Sequence, residues 1–488
     1  WSQLIQLGND FREEFRTEAD TRLKDMAINQ CCGLVYTSGT TGSPKGVMIS
    51  HDNITWTMKN MLDNYLHMDH TDRIVSYLPL SHIAAQMIDV HCPIYLGGCV
   101  YFAAPDALKG SLTGVMKEVK PTIFFGVPRV WEKIQEKMIE IGRRNNAVVG
   151  CIASWAKSAG TEHCRRMQYG NGGGAPCHYG CANAIVLNKI RKALGLEQCK
   201  ACFTAAAPIT QETLDYFASI DIPIFEVFGA SENTGPHTVS HQRGWKMGYC
   251  GRPMHGTFSK LTKGSGELCM KGRHIFMGYM YMPEKTAGTF DDEGYLLTGD
   301  IASFDEDVDP EIASGPAGFM KITGRIKELI IGAGGENIPP VLIENEMKAA
   351  CEALSNVMVV GNKRKYIVMV VAPKCVVDAE TGLPSDKLAA ESLYVGKQIG
   401  SAATTYAEVK SDPKWKQYVD DGMKAGNAKA TSDAQVVKKW GWLPVDFSER
   451  GGDLTPTLKL KRSVVADKYA DLIDAIYADS SGAKKSSI

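Results

Sequence analysis

Residues 37–46 read Thr-Ser-Gly-Thr-Thr-Gly-Ser-Pro-Lys-Gly, a stretch composed to hold an anion. Gly39 and Gly42 let backbone N–H groups approach a phosphate. The hydroxyls of Thr37, Ser38, Thr40, Thr41 and Ser43 and the ammonium of Lys45 supply further donors. The loop is not the nucleotide loop of kinases and GTPases, which has Gly before the lysine and Ser or Thr after it. Here Pro44 precedes Lys45 and Gly46 follows. The apolar run Gly33-Leu34-Val35-Tyr36 predicts a short buried strand before the loop, and His51-Asp52-Asn53 predicts a helix N-cap after it. A flexible linker would not carry a Pro-Lys-Gly end in that setting.

At this loop the sequence resembles the adenylate-forming superfamily of acyl-CoA synthetases, luciferases and peptide-synthetase adenylation domains. Further motifs resemble that family in order along the chain. Leu78-Pro79-Leu80-Ser81-His82 ends a predicted strand, where the resemblance puts His82 beside the acyl carboxylate and phosphates. Ala206, Ala207 and Pro208, in Thr204-Ala205-Ala206-Ala207-Pro208, match the small-residue strand end that lies flat on adenine. Glu226-Val227-Phe228-Gly229-Ala230-Ser231-Glu232 resembles the aromatic-Gly-x-Thr-Glu signature, with Phe228 and Ser231 for the commoner Tyr and Thr. On that reading Phe228 faces the purine and Ser231 reaches a phosphate oxygen. Glu232 offers a hard oxygen, directly or through water, to the Mg²⁺ that accompanies ATP. Asp300, in Thr298-Gly299-Asp300, is implied to accept from the ribose hydroxyls, with Arg325 at the same ribose. Lys327 holds the family's hinge position. Leu454-Thr455-Pro456-Thr457-Leu458-Lys459-Leu460-Lys461-Arg462 resembles the catalytic-lysine loop, with Leu458 where Gly is usual. Spacing to Arg462 selects Lys459, and Lys461 competes with it.

The chemistry implied is attack of a carboxylate on the α-phosphorus of ATP, giving an acyl-adenylate and pyrophosphate, followed by displacement of AMP by the thiolate of coenzyme A. Two anions must meet, so Mg²⁺, Lys45 and Lys459 are called on to offset repulsion. No protein nucleophile is required. Lys459 lies far from Lys45 in sequence, and the resemblance implies domain closure for the first half-reaction and rotation about Lys327 for the second.

Gly126-Val127-Pro128-Arg129-Val130-Trp131-Glu132-Lys133 and Leu-Thr-Pro-Thr-Leu-Lys resemble the long-chain branch, and within it the bubblegum-type long- and very-long-chain fatty acyl-CoA synthetases. Two alternatives stand beside this. One is an adenylate-forming enzyme with a non-CoA acceptor, and the other is a non-catalytic nucleotide- or lipid-binding relative. Intact Lys45, Glu232, Asp300 and Arg325 argue against the latter.

The elements that must position these residues alternate between strand and helix from about Cys31 to Lys327. Ile74–Leu78, Cys99–Phe102 and Thr122–Phe125 read as strands, with helical patterns at 83–96, 106–119 and 128–143, which implies parallel sheets covered on both faces. Residues 144–200 read as a surface excursion, and 255–320 as a small β-rich piece. After Lys327, strands at 328–331 and 366–371 flank a helix at 340–353, and 377–440 reads as polar and helical. The expected class is α/β. An AMP-binding domain over 1–327 holds parallel-sheet subdomains and a small β-rich subdomain. A smaller, mobile α+β lid over 328–488 carries Lys459. The stretch from Ser480 is small, charged and expected to be disordered.

Of the 488 residues 44% are hydrophobic and 22% charged, and Lys+Arg 54 against Asp+Glu 55 leaves a net charge of -1. That balance, without a basic stripe, argues against nucleic acid as a partner. The chain opens at Trp1 without a Met or signal-like segment, so a fragment or processed chain is expected. Fourteen cysteines without a secretory signal read as reduced thiols in a cytoplasmic setting, and Cys199 and Cys202 as structural rather than half a zinc site. A lipid substrate is compatible with peripheral contact at a membrane such as the endoplasmic reticulum, although no run reaches the ~18 apolar residues of a membrane helix. The sequence leaves the oligomeric state open.

Overall fold

The computed structural model describes residues 1–37, 44–107, 110–144, 146–170, 172–305, 318–332, 336–378, 380–455 and 460–478. The expected phosphate contacts Ser38, Gly39, Thr40, Thr41, Gly42 and Ser43, the expected catalytic Lys459 and the tail from Ser480 lie outside the described residues.

The strand β1 (Cys31–Thr37) pairs antiparallel with β2 (Lys45–Ser50), and Thr37 stands opposite Lys45. A second strand therefore precedes the helix, over residues 45–50, to most of which the sequence reading assigned no element. Val47 and Ile49 drive this strand, being 0% and 1% exposed. The run Gly33–Tyr36 is not a buried strand throughout. Only Val35 is buried, because alternate side chains of a two-sided hairpin point outward. The helix His51–Asn64 starts one residue earlier than His51-Asp52-Asn53 implied. Ser50 is its cap: Ser50 Oγ accepts from the Asn53 amide at 3.0 Å, and Asn53 Oδ1 accepts from the Ser50 amide at 2.9 Å.

Next come β3 (Arg73–Ser76) and β4 (Cys99–Phe102), a parallel pair joined through one helical run. The run is α-helical at Ile83–Ala85 and Cys92–Leu96 and widens to π turns over Gln86–His91. A five-stranded sheet follows. Its strands β5 (Ile123–Phe125), β6 (Ala201–Thr204) and β7 (Ile224–Ala230) are parallel, and β8 (Gly235–Val239) and β9 (Arg252–Pro253) extend it antiparallel. Helices Pro128–Arg143 and Ala147–Met167 lie in the crossover from β5 to β6. Residues 144–200 are thus part of a long crossover rather than a surface excursion. Ala156 and Ala159 are wholly buried, and a Cβ at Gly160 would collide with the backbone at Ser219.

The β-rich piece contains β10 (Phe258–Leu261) and β11 (Glu267–Lys271), which form one antiparallel sheet with β13 (Leu296–Phe304) and β14 (Met320–Arg325). The short β12 (Gly278–Tyr279) leaves that sheet and pairs with β2. Beyond Lys327 come the hairpin β15 (Ile330–Ile331) and β16 (Asn337–Ile338), the helix Pro340–Ala350, and β17 (Leu354–Val360) beside β18 (Ile367–Pro373). The hairpin β19 (Cys375–Val377) and β20 (Pro384–Leu388) precedes three helices, and β21 (Val437–Trp442) joins β18 in parallel. The stretch 377–440, expected to be helical, therefore also holds strand.

The large apolar clusters divide along the chain. Two draw their buried members from Val35 to Met320, and two from Ile330 to Ile476. Each buried Val, Ile or Leu contributes roughly 1.5–3 kcal/mol relative to exposure, so each set can support its own unit. The class is α/β with an α+β C-terminal part, as the alternation implied. Among the described residues no helix is long and apolar enough to cross a membrane.

Candidate active site

Lys45 begins β2, just after the candidate phosphate residues. Its Nζ lies 4.5 Å from the centre of the Tyr279 ring. The Tyr279 hydroxyl donates to Glu232 Oε1 at 2.9 Å. Backbone bonds hold the three together. The Met277 amide donates to the Met48 carbonyl at 2.9 Å, Met280 to Gly46 at 2.8 Å, and Phe276 to the Glu232 carbonyl at 2.8 Å. The segment 276–280 thus stitches the lysine strand to the Glu232 turn. Desolvation lowers the pKa of Lys45, nearby Lys285 and Lys327 add to this, and Glu232 works against it. Burial and then the Glu232 charge raise the pKa of Tyr279, so the hydroxyl stays a donor.

The Glu232 turn is shaped by its own sequence. Gly229 presses against the neighbouring strand so closely that a Cβ would collide with the Gly235 carbonyl. Wholly buried Asn233 then fixes the bend. Its Oδ1 accepts from the Ala230 amide at 2.6 Å and its Nδ2 donates to the Gly235 carbonyl at 3.0 Å. Ser231 and Glu232 fall on a short 3-10 turn after β7, while Glu226, Val227, Phe228 and Ala230 lie on the strand itself. Phe228 packs at the edge of the apolar core. Burial pushes the Glu226 carboxyl up to about 7.

The neighbouring strand β6 ends at Thr204 and leads to the small-residue segment. There Ala206 holds φ +74°, a left-handed conformation that costs a residue with a Cβ about 1–2 kcal/mol. Ala206 and Pro208 are exposed and Ala207 is partly so. Such strain at a sheet end, with small side chains turned to solvent, suits a surface that meets a flat ring.

Asp300 and Arg325 face each other across β13 and β14. Arg325 Nε donates to Asp300 Oδ1 at 2.6 Å, and the carboxylate is only 4% exposed. The turn-like Thr298-Gly299-Asp300 sits within a strand, with Thr298 Oγ1 donating to the Leu268 carbonyl at 2.7 Å. Lys327 occupies a single 3-10 turn just after β14, and its charge acts on Lys45. His82 caps the short helix after β3, its Nδ1 accepting from the Ala84 amide at 3.2 Å, and burial lowers its pKa. A neutral imidazole there is a dipole and hydrogen-bonding group rather than a fixed cation.

At the end of the 454–462 segment, Arg462 is partly buried between two carboxylates. Its Nη1 donates to Glu344 Oε1 at 2.7 Å, its Nη2 pairs with the other Glu344 oxygen, and its Nε lies 3.5 Å from Glu328 Oε2. Glu328 belongs to the same 3-10 turn as Lys327. The downstream end of the lysine loop is therefore tied to that turn. Tyr279 and Glu344 escaped the sequence reading. Nothing in the local spacing marks a lone tyrosine in a two-residue strand, although Glu344 stands four residues after Pro340 in a helix whose pattern was legible.

Among the described residues no cluster of three or more His, Cys, Asp or Glu could hold a metal ion by itself. Glu232 is instead one carboxylate, held on one oxygen by a neutral hydroxyl. That donor set fits a Mg²⁺ whose remaining ligands are phosphate and water, and does not fit a protein-enclosed metal.

The AMP-binding enzyme model matches residues 4–280, and the AMP-binding enzyme C-terminal domain model matches 327–412. The long-chain-fatty-acid–CoA ligase ACSBG2 of Gallus gallus is 46% identical over 489 residues, covering 98% of this chain and 62% of the relative. The ACSBG2 of Xenopus laevis is 47% identical, covering 98% of this chain and 64% of the relative. The chain thus spans somewhat under two thirds of the length of these two curated relatives. Among solved structures, the adenylation domain of a carboxylate reductase from Mycobacterium chelonae superimposes with a TM-score of 0.62 at 21% identity, over 92% of this chain and 60% of that one, a likeness of fold. The chain belongs to the AMP-binding enzymes of the adenylate-forming superfamily, and within them to the bubblegum type.

Proposed function

We propose that this chain activates long- or very-long-chain fatty acids to acyl-CoA through an acyl-adenylate, consuming ATP and coenzyme A and releasing AMP and pyrophosphate. The observation that carries the reading is the convergence of Lys45, Tyr279 and Glu232, close to Lys327. A cation, a neutral donor and a carboxylate set this close give a triphosphate both charge compensation and a place for its metal. Relatives named long-chain-fatty-acid–CoA ligases, at 40–47% identity over nearly the whole chain, support the substrate class.

In this mechanism the small segment Ala206–Pro208 and the ring of Phe228 enclose the adenine. Asp300 accepts from the ribose hydroxyls while Arg325 holds its carboxylate in place. The 37–45 loop and Ser231 take the phosphates, with Lys45 drawing negative charge off them. Glu232 would hold Mg²⁺, which when bound neutralises phosphate charge. His82 orients the incoming carboxylate, and Lys459 stabilises the charge that develops at the α-phosphorus. Residues 328–488 act as a lid, turning at Lys327 to deliver and withdraw Lys459. Fourteen free thiols suit a reducing, cytoplasmic compartment, and a peripheral membrane contact would supply the lipid.

The test is AMP and pyrophosphate release across a fatty-acid chain-length series, with and without coenzyme A. Acid-dependent AMP that rises with chain length and ends in thioester is expected. Acid-dependent AMP without thioester points to another acceptor, and no acid-dependent AMP overturns catalysis altogether.

A further inference from the structure

Cys199 and Cys202 stand apart from the other thiols. Their Sγ atoms lie 3.6 Å apart, and among the described residues no other thiol pair is hydrogen-bonded to each other. Cys199 is partly exposed in the loop before β6, while Cys202 is 5% exposed on the strand itself. The geometry is held from both sides. Cys202 is locked in register opposite Phe124 on β5 and Ile224 on β7. The loop is pinned because the Lys200 amide donates to the Thr122 carbonyl at 2.6 Å, Lys200 Nζ pairs with Asp72 at 2.8 Å, and the Cys199 amide donates to Leu196 at 3.1 Å. Two soft nucleophiles are therefore kept face to face by a backbone that cannot easily separate them.

We propose that Cys199 and Cys202 form a redox modification site, a dithiol that hydroperoxides convert reversibly to an intrachain disulfide. The bond needs the sulfurs to close by about 1.6 Å to a length of about 2.05 Å. Cys199 is the attacking thiol because it is the one solvent reaches. Its thiolate attacks the peroxide oxygen, the O–O bond breaks, and a sulfenic acid forms as hydroxide leaves and takes up a proton. The Cys202 sulfur then attacks the sulfenic sulfur, the S–O bond breaks, and the hydroxyl departs with the Cys202 proton as water. Two thiols have lost two electrons and two protons, and one hydrogen peroxide has become two waters. Because β6 is held by both neighbours, the change stays at its N-terminal end and the loop before it. The segment from Ala205 to Pro208, at the far end, keeps its place.

Treatment of the intact chain with one equivalent of hydrogen peroxide, followed by peptide mapping without reduction, tests this. The expected result is a loss of two hydrogens in a peptide linking Cys199 to Cys202, reversed by dithiothreitol. Cys202→Ser should abolish the link and leave a sulfenic acid at Cys199 that dimedone traps. The exposed Cys31, Cys32, Cys99, Cys151, Cys177 and Cys181 serve as internal controls. A bridge mapped to another pair, or dimedone labelling at Cys199 no greater than at Cys151 and Cys181, overturns the proposal. The wild-type map decides the matter even where a variant fails to fold.

Discussion

The ammonium of Lys45 rests 4.5 Å from the ring centre of Tyr279, which passes its own hydroxyl to Glu232. Tyr279 therefore mediates between the candidate phosphate cation and the candidate metal carboxylate. Tyr279→Phe keeps the ring under Lys45 and removes only the bond to Glu232. A hydrogen bond to a charged group is worth about 1.5–3 kcal/mol, so kcat/KM for ATP should fall roughly 10- to 100-fold. Lys45→Ala should cost about 10²–10³ in kcat. Pyrophosphate release with palmitate measures both. An unchanged Tyr279→Phe enzyme would remove Tyr279 from the site.

The pairing of Asp300 with Arg325 makes a second prediction. Asp300→Asn keeps the shape but withdraws the charge that Arg325 faces, and it halves the acceptor capacity offered to a ribose. The KM for ATP should rise about tenfold or more, with a smaller change in kcat. Arg325→Lys should show the same pattern less strongly, because lysine lacks the fixed fork. A deoxyribose triphosphate series checks it. If the variants lose no more affinity for ATP than for its 2′,3′-dideoxy analogue, the ribose contact is refuted.

How much of this was written in the chain can be judged residue by residue. Lys45 and Glu232 were legible because each sits in a short motif whose composition has a mechanical reason. Gly229 was legible as a turn, and the structure adds why: only a residue without a Cβ fits against Gly235. Tyr279 was not, because its meaning depends on β12 leaving its own sheet to pair with β2. The helix cap was read one residue late because Asn53 looks like a cap and is in fact the reciprocal partner of Ser50. The strand β2 was missed because the glycine-rich loop before it masked a period-two pattern only six residues long. Of these, only Tyr279 turns on long-range pairing; the cap is a local contact three residues long.

Glu226 carries a pH prediction. Burial raises its folded pKa to about 7, above the unfolded value near 4.5. Its contribution is fully present below pH 4.5 and is lost as pH rises through 7, because the folded chain must then bear a desolvated charge. Glu226→Gln removes that cost. The variant should unfold about 2–4 °C higher than the parent at pH 8 and show no advantage at pH 5. Thermal unfolding at the two pH values is the check, and equal shifts at both would show that burial of charge is not the cause.

His237 and His274 act with the opposite sign. Both are wholly buried, and His237 Nδ1 lies 2.9 Å from His274 Nε2 while His237 Nε2 meets Ser259 Oγ at 2.8 Å. Burial holds His274 down at about 3, and His237 is lowered well below its usual range by burial and then by His274. Folding therefore favours the neutral rings. Their stabilisation is complete above the unfolded pKa near 6.5 and drains away as pH falls from there toward 3. His274→Gln should flatten the fall in Tm between pH 6.5 and pH 4.5, and an unaltered slope would place the acid lability elsewhere.

The helix Pro128–Arg143 meets the C-terminal part through charge. Glu136 lies 3.3 Å from Lys374, Glu132 lies 4.0 Å from Lys348, and Arg143 lies 3.6 Å from Glu352. Burial opposes ionisation of Glu132, yet Lys348, Arg129 and Lys374 outweigh it and hold the carboxyl at about 2. Its contribution is present above pH 4.5 and is lost as pH falls toward 2. Near neutral pH these pairs hold residues beyond 328 against the helix, with part of their worth screened by salt. If the C-terminal part must turn during the reaction, they are contacts it breaks on every cycle. A double-mutant cycle of Glu136→Gln with Lys374→Met should return a coupling of about 1 kcal/mol in stability. The single Glu136→Gln change should also speed whichever step waits on release of this contact, and raising salt should accelerate the parent more than the variant. A coupling of zero would mean that the charges merely solvate a cleft.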